Sequence, residues 1–370
     1  MKTRFAGGAF ALLPFLAVQP ALAEEISADD TDEIRVETAL LHPSAGLMND
    51  HMHDGGEVMV GLRLERRRYA GRNVSGTDKI DDADILAAGY TVRAQSMEMD
   101  MVMLDLMYAP NDDVTLMVMP HYMWHRMTMV GIDPMAGGMD MSGGHMSGGD
   151  MSGGHSAMLG YGESHSHGAE GFGDTLVSAS YRLAKGRDLR AHVTLGVWVP
   201  TGADELKNAD GTFVHYGMQP GSGTWDIEPA VTVAGSLGSV GWGGQASYRW
   251  RTDDANGAGF AFGDKFQSSA WASYRLTGRL GATARVEYVH EGAIEGHYNG
   301  PHRHSSPSDI QGNYGGDTVS LGLGANWFLP VGQAKHPQLS AEFAVPVHQK
   351  LNGIQLPQDW RVSVGLSQTF

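Results

Sequence analysis

Methionine and histidine crowd one stretch of this chain. Of 21 Met, sixteen fall between Met97 and Met158. Met97, Met99, Met101, Met103, Asp105 and Met107 alternate with other residues, and so do Met117, Met119, His121, Met123, His125, Met127 and Met129. A period of two puts each set on one face of a β-strand. Thioethers are soft, uncharged ligands, and together with imidazole they favour Cu(I), or its analogue Ag(I), over hard cations. A row of them down a lumen passes an ion between sites, none of which holds it tightly. Packing is the other reading, because Met is adaptable and fills irregular space. Both stay open for the strand rows.

The same ligand types recur in residues 135–168, where no strand pattern is evident. A five-residue repeat runs Met141-Ser-Gly-Gly-His145, Met146-Ser-Gly-Gly-Asp150, Met151-Ser-Gly-Gly-His155, and His165 and His167 follow. Gly and Ser make the segment flexible and coreless, so packing does not explain the recurrence and metal capture is expected. His297, His302 and His304 read as solvated loop residues. Met48, His51, Met52 and His53 form a further candidate site by spacing alone. The sequence shows neither a Gly-rich phosphate loop nor a zinc-protease helix motif, and no Ser–His pairing calls for an enzyme. The expectation is a non-enzymatic protein that requires no cofactor, with Cu(I) or Ag(I) as the ion bound or carried.

Alternating strands must position these residues. Twelve segments alternate, at 57–65, 96–109, 114–127, 174–183, 189–200, 224–234, 240–251, 265–276, 280–290, 317–328, 339–348 and 359–370. In the fifth, Leu189, Ala191, Val193, Leu195, Val197 and Val199 oppose Arg190, His192, Thr194 and Gly196. One face is apolar with aromatics near an end, and the other is small and polar, as in membrane barrels. Short connections at 110–113, 184–188, 235–239, 277–279 and 329–338 alternate with longer ones at 66–95, 128–173, 201–223, 252–264, 291–316 and 349–358. Outer-membrane barrels pair short periplasmic turns with longer outer loops. The fold expected is therefore all-β: a transmembrane, antiparallel, up-and-down barrel of about 12 strands, with both termini periplasmic. The last strand alternates Trp360, Val362, Val364 and Leu366 and ends on Phe370.

Membrane physics also sets the direction of the Met rows. The other face of the third strand carries Val114, Leu116, Val118, Tyr122 and Trp124, which suits lipid. Turning the Met face outward would put His121, His125 and Asp105 into lipid, at a cost in free energy. The Met rows are therefore expected in the lumen. Asp226, Glu228, Arg249, Arg275, Arg285, Glu287 and Glu342 are expected to form charge pairs there.

Composition sets the wider limits. Residues 1–23 have a basic start, an apolar run and a small-x-small site at Ala21-Leu22-Ala23, which is the layout of a secretory signal peptide. Residues 24–55 then read as a periplasmic segment and 56–370 as the barrel, with the Met/His-rich extracellular loop at 128–173. A formal charge of −16 disfavours a nucleic-acid partner. The absence of Cys excludes disulfides and thiolate metal sites. The expected partners are outer-membrane lipid, the barrel assembly machinery and a small ion or solute, in the outer membrane of a Gram-negative bacterium.

Short blocks carry a family resemblance. Gly196-Val-Trp-Val-Pro-Thr-Gly202, Met218-Gln-Pro-Gly-Ser-Gly-Thr-Trp-Asp226 and Glu342-Phe-Ala-Val-Pro-Val347 resemble an outer-membrane transporter family named for a role in the meta-pathway of phenol degradation. Gly46-Leu-Met-Asn-Asp-His-Met-His-Asp-Gly-Gly-Glu57 and the Met-rich strands resemble a branch associated with copper-handling gene clusters. The resemblance implies a membrane barrel with a transport role and does not supply the solute. The first expectation is a pore or transporter for Cu(I) or a related soft metal, working through the lumen and outer loop. The alternatives are a channel for small hydrophobic or aromatic molecules, or a surface protein that sequesters metal.

Overall fold

The computed structural model describes residues 41–135, 159–186, 188–329 and 337–370. Twelve antiparallel strands close into a barrel. They are β1 (Val58–Ala70), β2 (Val92–Asn111), β3 (Val114–Met119 and His121–Gly131), β4 (Ser164–Phe172 and Thr175–Ala184), β5 (Arg190–Val199) and β6 (Asp226–Leu237). The remainder are β7 (Val240–Arg251), β8 (Lys265–Arg275), β9 (Leu280–Glu291), β10 (Gly316–Phe328), β11 (Gln338–Gln355) and β12 (Gln358–Thr369). Each strand pairs with the next along the chain. Closure comes from β1, which pairs with β12 through Leu62↔Leu366 and with β2 through Leu62↔Leu104. A closed sheet leaves no unpaired edge in lipid, which is why a barrel can span a membrane.

Alternation gives the wall its two faces. Val58, Val60, Leu62 and Leu64 on β1 point outward, as do Leu104 and Leu106 on β2 and Leu321 and Leu323 on β10. Exposed aromatics border this apolar belt. Tyr108, Tyr181, Tyr274 and Trp327 lie towards the short-turn end, and Trp124, Tyr248 and Trp250 towards the other. Above the belt the outer face becomes charged, with Arg66 Nε donating to Asp100 Oδ1 at 2.5 Å. The belt with its aromatic rims is the signature of a membrane-spanning barrel.

Two strands are interrupted without leaving the sheet. Pro120 has no N–H to donate, but its carbonyl still accepts from Leu104 N at 3.1 Å. Opposite it, Gly173 N donates to His121 O at 3.0 Å. A Cβ at Gly173 would stand 1.9 Å from His121 Nε2, so only Gly lets that ring lie against the strand.

Three extents differ from the sequence reading. The loop expected at 128–173 gives up both its ends to the sheet, because β3 runs to Gly131 and Ser164–Phe172 pairs along it. His165 and His167 therefore sit on a strand opposite Met129 and Met127, not in a coreless segment. The loop expected at 349–358 shrinks to Leu356-Pro357, because β11 and β12 continue to either side. Of the segment 24–55, expected in the periplasm, the described residues 41–55 lie inside the barrel. The expected signal peptide and the repeat residues Met141, His145, Met146, Met151 and His155 lie outside the described residues.

Candidate functional site: a two-walled chamber

Each end of the lumen is filled by a different part of the chain. At the short-turn end, residues 41–57 form a plug gripped by polar side chains from around the barrel. Ser273 Oγ on β8 donates to Leu41 O at 2.7 Å, and Asn326 Nδ2 on β10 to His42 O at 2.9 Å. Arg63 on β1 donates to Leu47 O at 3.0 Å, and Gln245 on β7 to Met48 O at 3.0 Å. Arg182 on β4 donates to His53 O at 2.8 Å. A segment without regular structure can be buried only if its backbone polar groups find partners, and inward-facing side chains supply them. Gly46 is the tightest point, since a Cβ there would lie 2.0 Å from Glu342 Oε1.

At the other end, long loops cross the mouth. Ser305 O, on the loop after β9, accepts from Thr91 N and Val92 N at the start of β2, at 3.0 and 3.1 Å. Beneath this crossing Phe213, Tyr216, Phe260, Ile294 and Tyr298 form a buried cluster. Phe213 and Tyr298 stack with centroids 4.1 Å apart, and Tyr216 meets Phe260 edge-on at 4.8 Å. The Tyr216 hydroxyl accepts from Tyr298 N at 3.0 Å and from Gln311 Nε2 at 2.6 Å.

Between plug and aromatic cluster lies a chamber of about 540 Å³, with Gly46 and Met48 at one end and Phe262, Ile294 and Tyr314 at the other. One wall is sulfur. Strand pairing sets Met97 opposite Met127, Met99 opposite His125, Met101 opposite Met123, and Met103 opposite His121. The rows do face inward, but they divide by depth. Met97, Met99, Met101, Met103, Met119, His121, Met123 and Met127 line the chamber. Towards the plug, Met107 and Met117 pack with Met59, Leu176 and Trp198. Towards the loops, Met129 packs with Leu159, Val214 and Met218. His121 and His125 are buried, and among the described residues Nδ1 of His121 and both ring nitrogens of His125 have no hydrogen-bond partner. His165 and His167 stack at 6.1 Å above this wall, with His215 5.2 Å from His167.

The facing wall is ionic. Arg285 grips Glu342 with contacts of 2.9 and 2.5 Å and donates to Glu287 Oε1 at 3.0 Å. Arg361 reaches the other Glu287 oxygen at 2.7 Å. Arg249 bonds Asp226 at 2.7 and 2.5 Å, and Arg251 bonds the same carboxylate. On β1, which joins this wall to the sulfur wall, Arg67 pairs with Glu65 at 2.6 Å. Charges withdrawn from water persist when paired and hydrogen-bonded in this way. Trp198 joins the two walls. It packs in the Met cluster, donates Nε1 to Glu228 Oε2 at 2.6 Å, and carries the Arg249 guanidinium over its ring at 4.0 Å.

The comparisons with known proteins agree with this architecture. Residues 82–356, about three quarters of the chain, match the family described as "Putative MetA-pathway of phenol degradation". The chain belongs to that family. The match does not reach Gly46–Glu57, on which the resemblance to a copper-associated branch partly rests. An outer-membrane channel from Pseudomonas putida F1 is similar in fold, with a TM-score of 0.54 at 13% identity, covering 88% of this chain and 99% of that chain. A FadL homologue from Pseudomonas aeruginosa aligns with a TM-score of 0.38 at 9% identity, covering 86% of this chain and 90% of that one. No curated protein matches the sequence. The chain is an outer-membrane β-barrel.

Sequence reasoning missed three parts of the site. Arg63, Glu65 and Arg67 on β1 alternate with Leu62 and Leu64, so their inward direction was legible from the pattern. Arg361 likewise sits between the outward-alternating residues of β12. The aromatic cluster draws on three loops, and no local pattern joins Phe213 to Phe260 and Tyr298.

Proposed function

We propose that this barrel is a channel for small, neutral aromatic or apolar molecules, which pass through the chamber between its two walls. The observation that carries this reading is the pairing of a sulfur wall with a charge-balanced one. Thioethers present an adaptable apolar surface that accommodates rings of varied shape. Around the rest of the chamber, Arg63, Arg67, Arg249, Arg251, Lys265 and Arg361 line it together with Glu65, Asp174, Glu228, Glu287 and Glu291. With both signs nearly balanced, the wall has no strong preference for either ionic charge, yet it offers polar partners to a hydroxyl. A volume of about 540 Å³ falls within the range of small-molecule sites. The family's description adds phenols as a natural class to test.

The test is initial uptake of a radiolabelled phenol by intact cells, whose lipopolysaccharide leaflet slows apolar solutes. Deleting the gene should reduce uptake several-fold. Met99→Glu/Met101→Glu/Met123→Glu should do the same at equal barrel abundance, because it makes the apolar wall anionic. Unchanged uptake in both strains rejects the reading.

A second reading rests on the buried imidazole nitrogens of His121 and His125 beside the thioethers, which have no hydrogen-bond partner among the described residues. Such a set suits Cu(I) or Ag(I). Ag(I) titration of the full-length barrel should then lose a site in His121→Phe/His125→Phe. Equal binding in that variant would remove this reading and leave the first intact.

A further inference from the structure

The plug holds a cluster that neither reading uses. His42, Asp50 and His51 converge, with one ligand atom from each within 4.8 Å of the others. His51 Nδ1 stands 3.0 Å from Asp50 Oδ1, and His42 Nδ1 3.6 Å from Asp50 Oδ2. In a tetrahedral site with bonds near 2.0–2.2 Å, ligand atoms lie roughly 3.3–3.6 Å apart. The two Asp50 contacts sit close to that spacing, and side-chain rotation can bring the two imidazoles together.

A further imidazole adjoins the set. The His53 ring lies 5.1 Å from that of His51. It is 6% exposed, its Nδ1 faces Glu57 Oε2 at 3.4 Å, and its Nε2 has no hydrogen-bond partner among the described residues. A carboxylate on one ring nitrogen fixes the tautomer and leaves the other as a free lone pair, as metal-ligating histidines are commonly held.

We propose that His42, Asp50 and His51, with His53 adjoining, bind one borderline divalent cation of the Zn(II) type inside the plug. Nitrogen and carboxylate donors suit Zn(II), Cu(II) and Ni(II), whereas the thioether wall suits soft monovalent ions. The two sites therefore differ in chemistry as well as place. His42 lies at one end of a loop and Asp50-His51 at the other, with Asn49 turning the chain at φ 54°. An ion joining them closes that loop. The carbonyls gripped by Arg63 and Gln245, those of Leu47, Met48 and Asn49, lie within it. Ion occupancy thus stiffens the plug in the lumen.

The test uses the purified full-length barrel, stripped of metal by a chelator and titrated with Zn(II). His42→Ala/His51→Ala should bind one fewer ion than the wild type, and Asp50→Asn should weaken that site about 10–100-fold. The chain has no Cys, so Ala45→Cys places a single thiol in the plug. Zn(II) should slow its labelling by a thiol reagent, and adding His42→Ala/His51→Ala should abolish the slowing. Heat-shifted gel migration confirms that each variant retains the barrel. Independently, Cu(II) on the wild type should give nitrogen hyperfine structure in its electron paramagnetic resonance spectrum that the double variant lacks. Equal Zn(II) stoichiometry in wild type and double variant overturns the site. A site lost from the double variant while labelling in Ala45→Cys ignores Zn(II) overturns its effect on the plug.

Discussion

The wall formed by β2 and β3 and the wall formed by β6–β12 with β1 use the same pleat to opposite ends. On the first, inward positions carry thioethers that touch one another and can be exchanged for other apolar groups. On the second they carry guanidinium and carboxylate groups, and Arg285, Glu287, Glu342, Arg361, Arg249 and Asp226 hold specific partners. The first wall tolerates substitution and changes shape gradually. The second tolerates little, because removing one partner strands the other. A chamber built from both has one adaptable side and one rigid side, and this suits a solute with an apolar body and a single polar group.

Breaking the rigid wall should have the largest effect. Glu342→Ala leaves Arg285 buried without its two-point partner and also frees Ser44 of the plug, whose Oγ donates to Glu342 at 2.9 Å. The expected loss is about 3–5 kcal/mol in urea unfolding from lipid vesicles. Met119→Ala, at a site 1% exposed, should cost about 2–5 kcal/mol, because the cavity it leaves is lined by other thioethers. Gly46→Ala tests the join between wall and plug, since its Cβ meets Glu342 Oε1. It should cost about 1–3 kcal/mol through overpacking and raise hydrogen exchange in Leu41–Glu57 while the strands stay protected. The smallest effect belongs to a pair outside the chamber. Arg66 and Asp100 are 53% and 39% exposed, and a double-mutant cycle should return under about 1 kcal/mol.

The strands were legible because a half-buried strand in lipid must alternate, and all twelve did so. The direction of the Met rows was legible for a related reason: His121, His125 and Asp105 could not face lipid, and all three are buried inside. Features held together across the lumen were hidden. Residues 41–57 show no period, and their partners Gln245, Ser273 and Asn326 lie some two hundred or more positions away. The strand Ser164–Phe172 was masked by Gly and Ser, which read locally as loop although pairing with β3 overrides that preference. The ends of β11 and β12 were masked by Asn352, Gly353 and Pro357, residues that punctuate most loops. The direction of these side chains was legible and their depth was not. Met107, Met117 and Met129 share a face with Met101 and Met123, but neighbouring side chains fill the space before them.

In the proposed channel a small aromatic solute lies between the two walls. The most direct measurement is photolabelling of the purified barrel with a diazirine-bearing aromatic alcohol, with the attachment points located by mass spectrometry. The account predicts labels on Met99, Met101, Met123 or Trp198 that unlabelled alcohol competes away. Labels confined to the outward belt, at residues such as Leu104, Leu106 and Trp124, and insensitive to competition would contradict it.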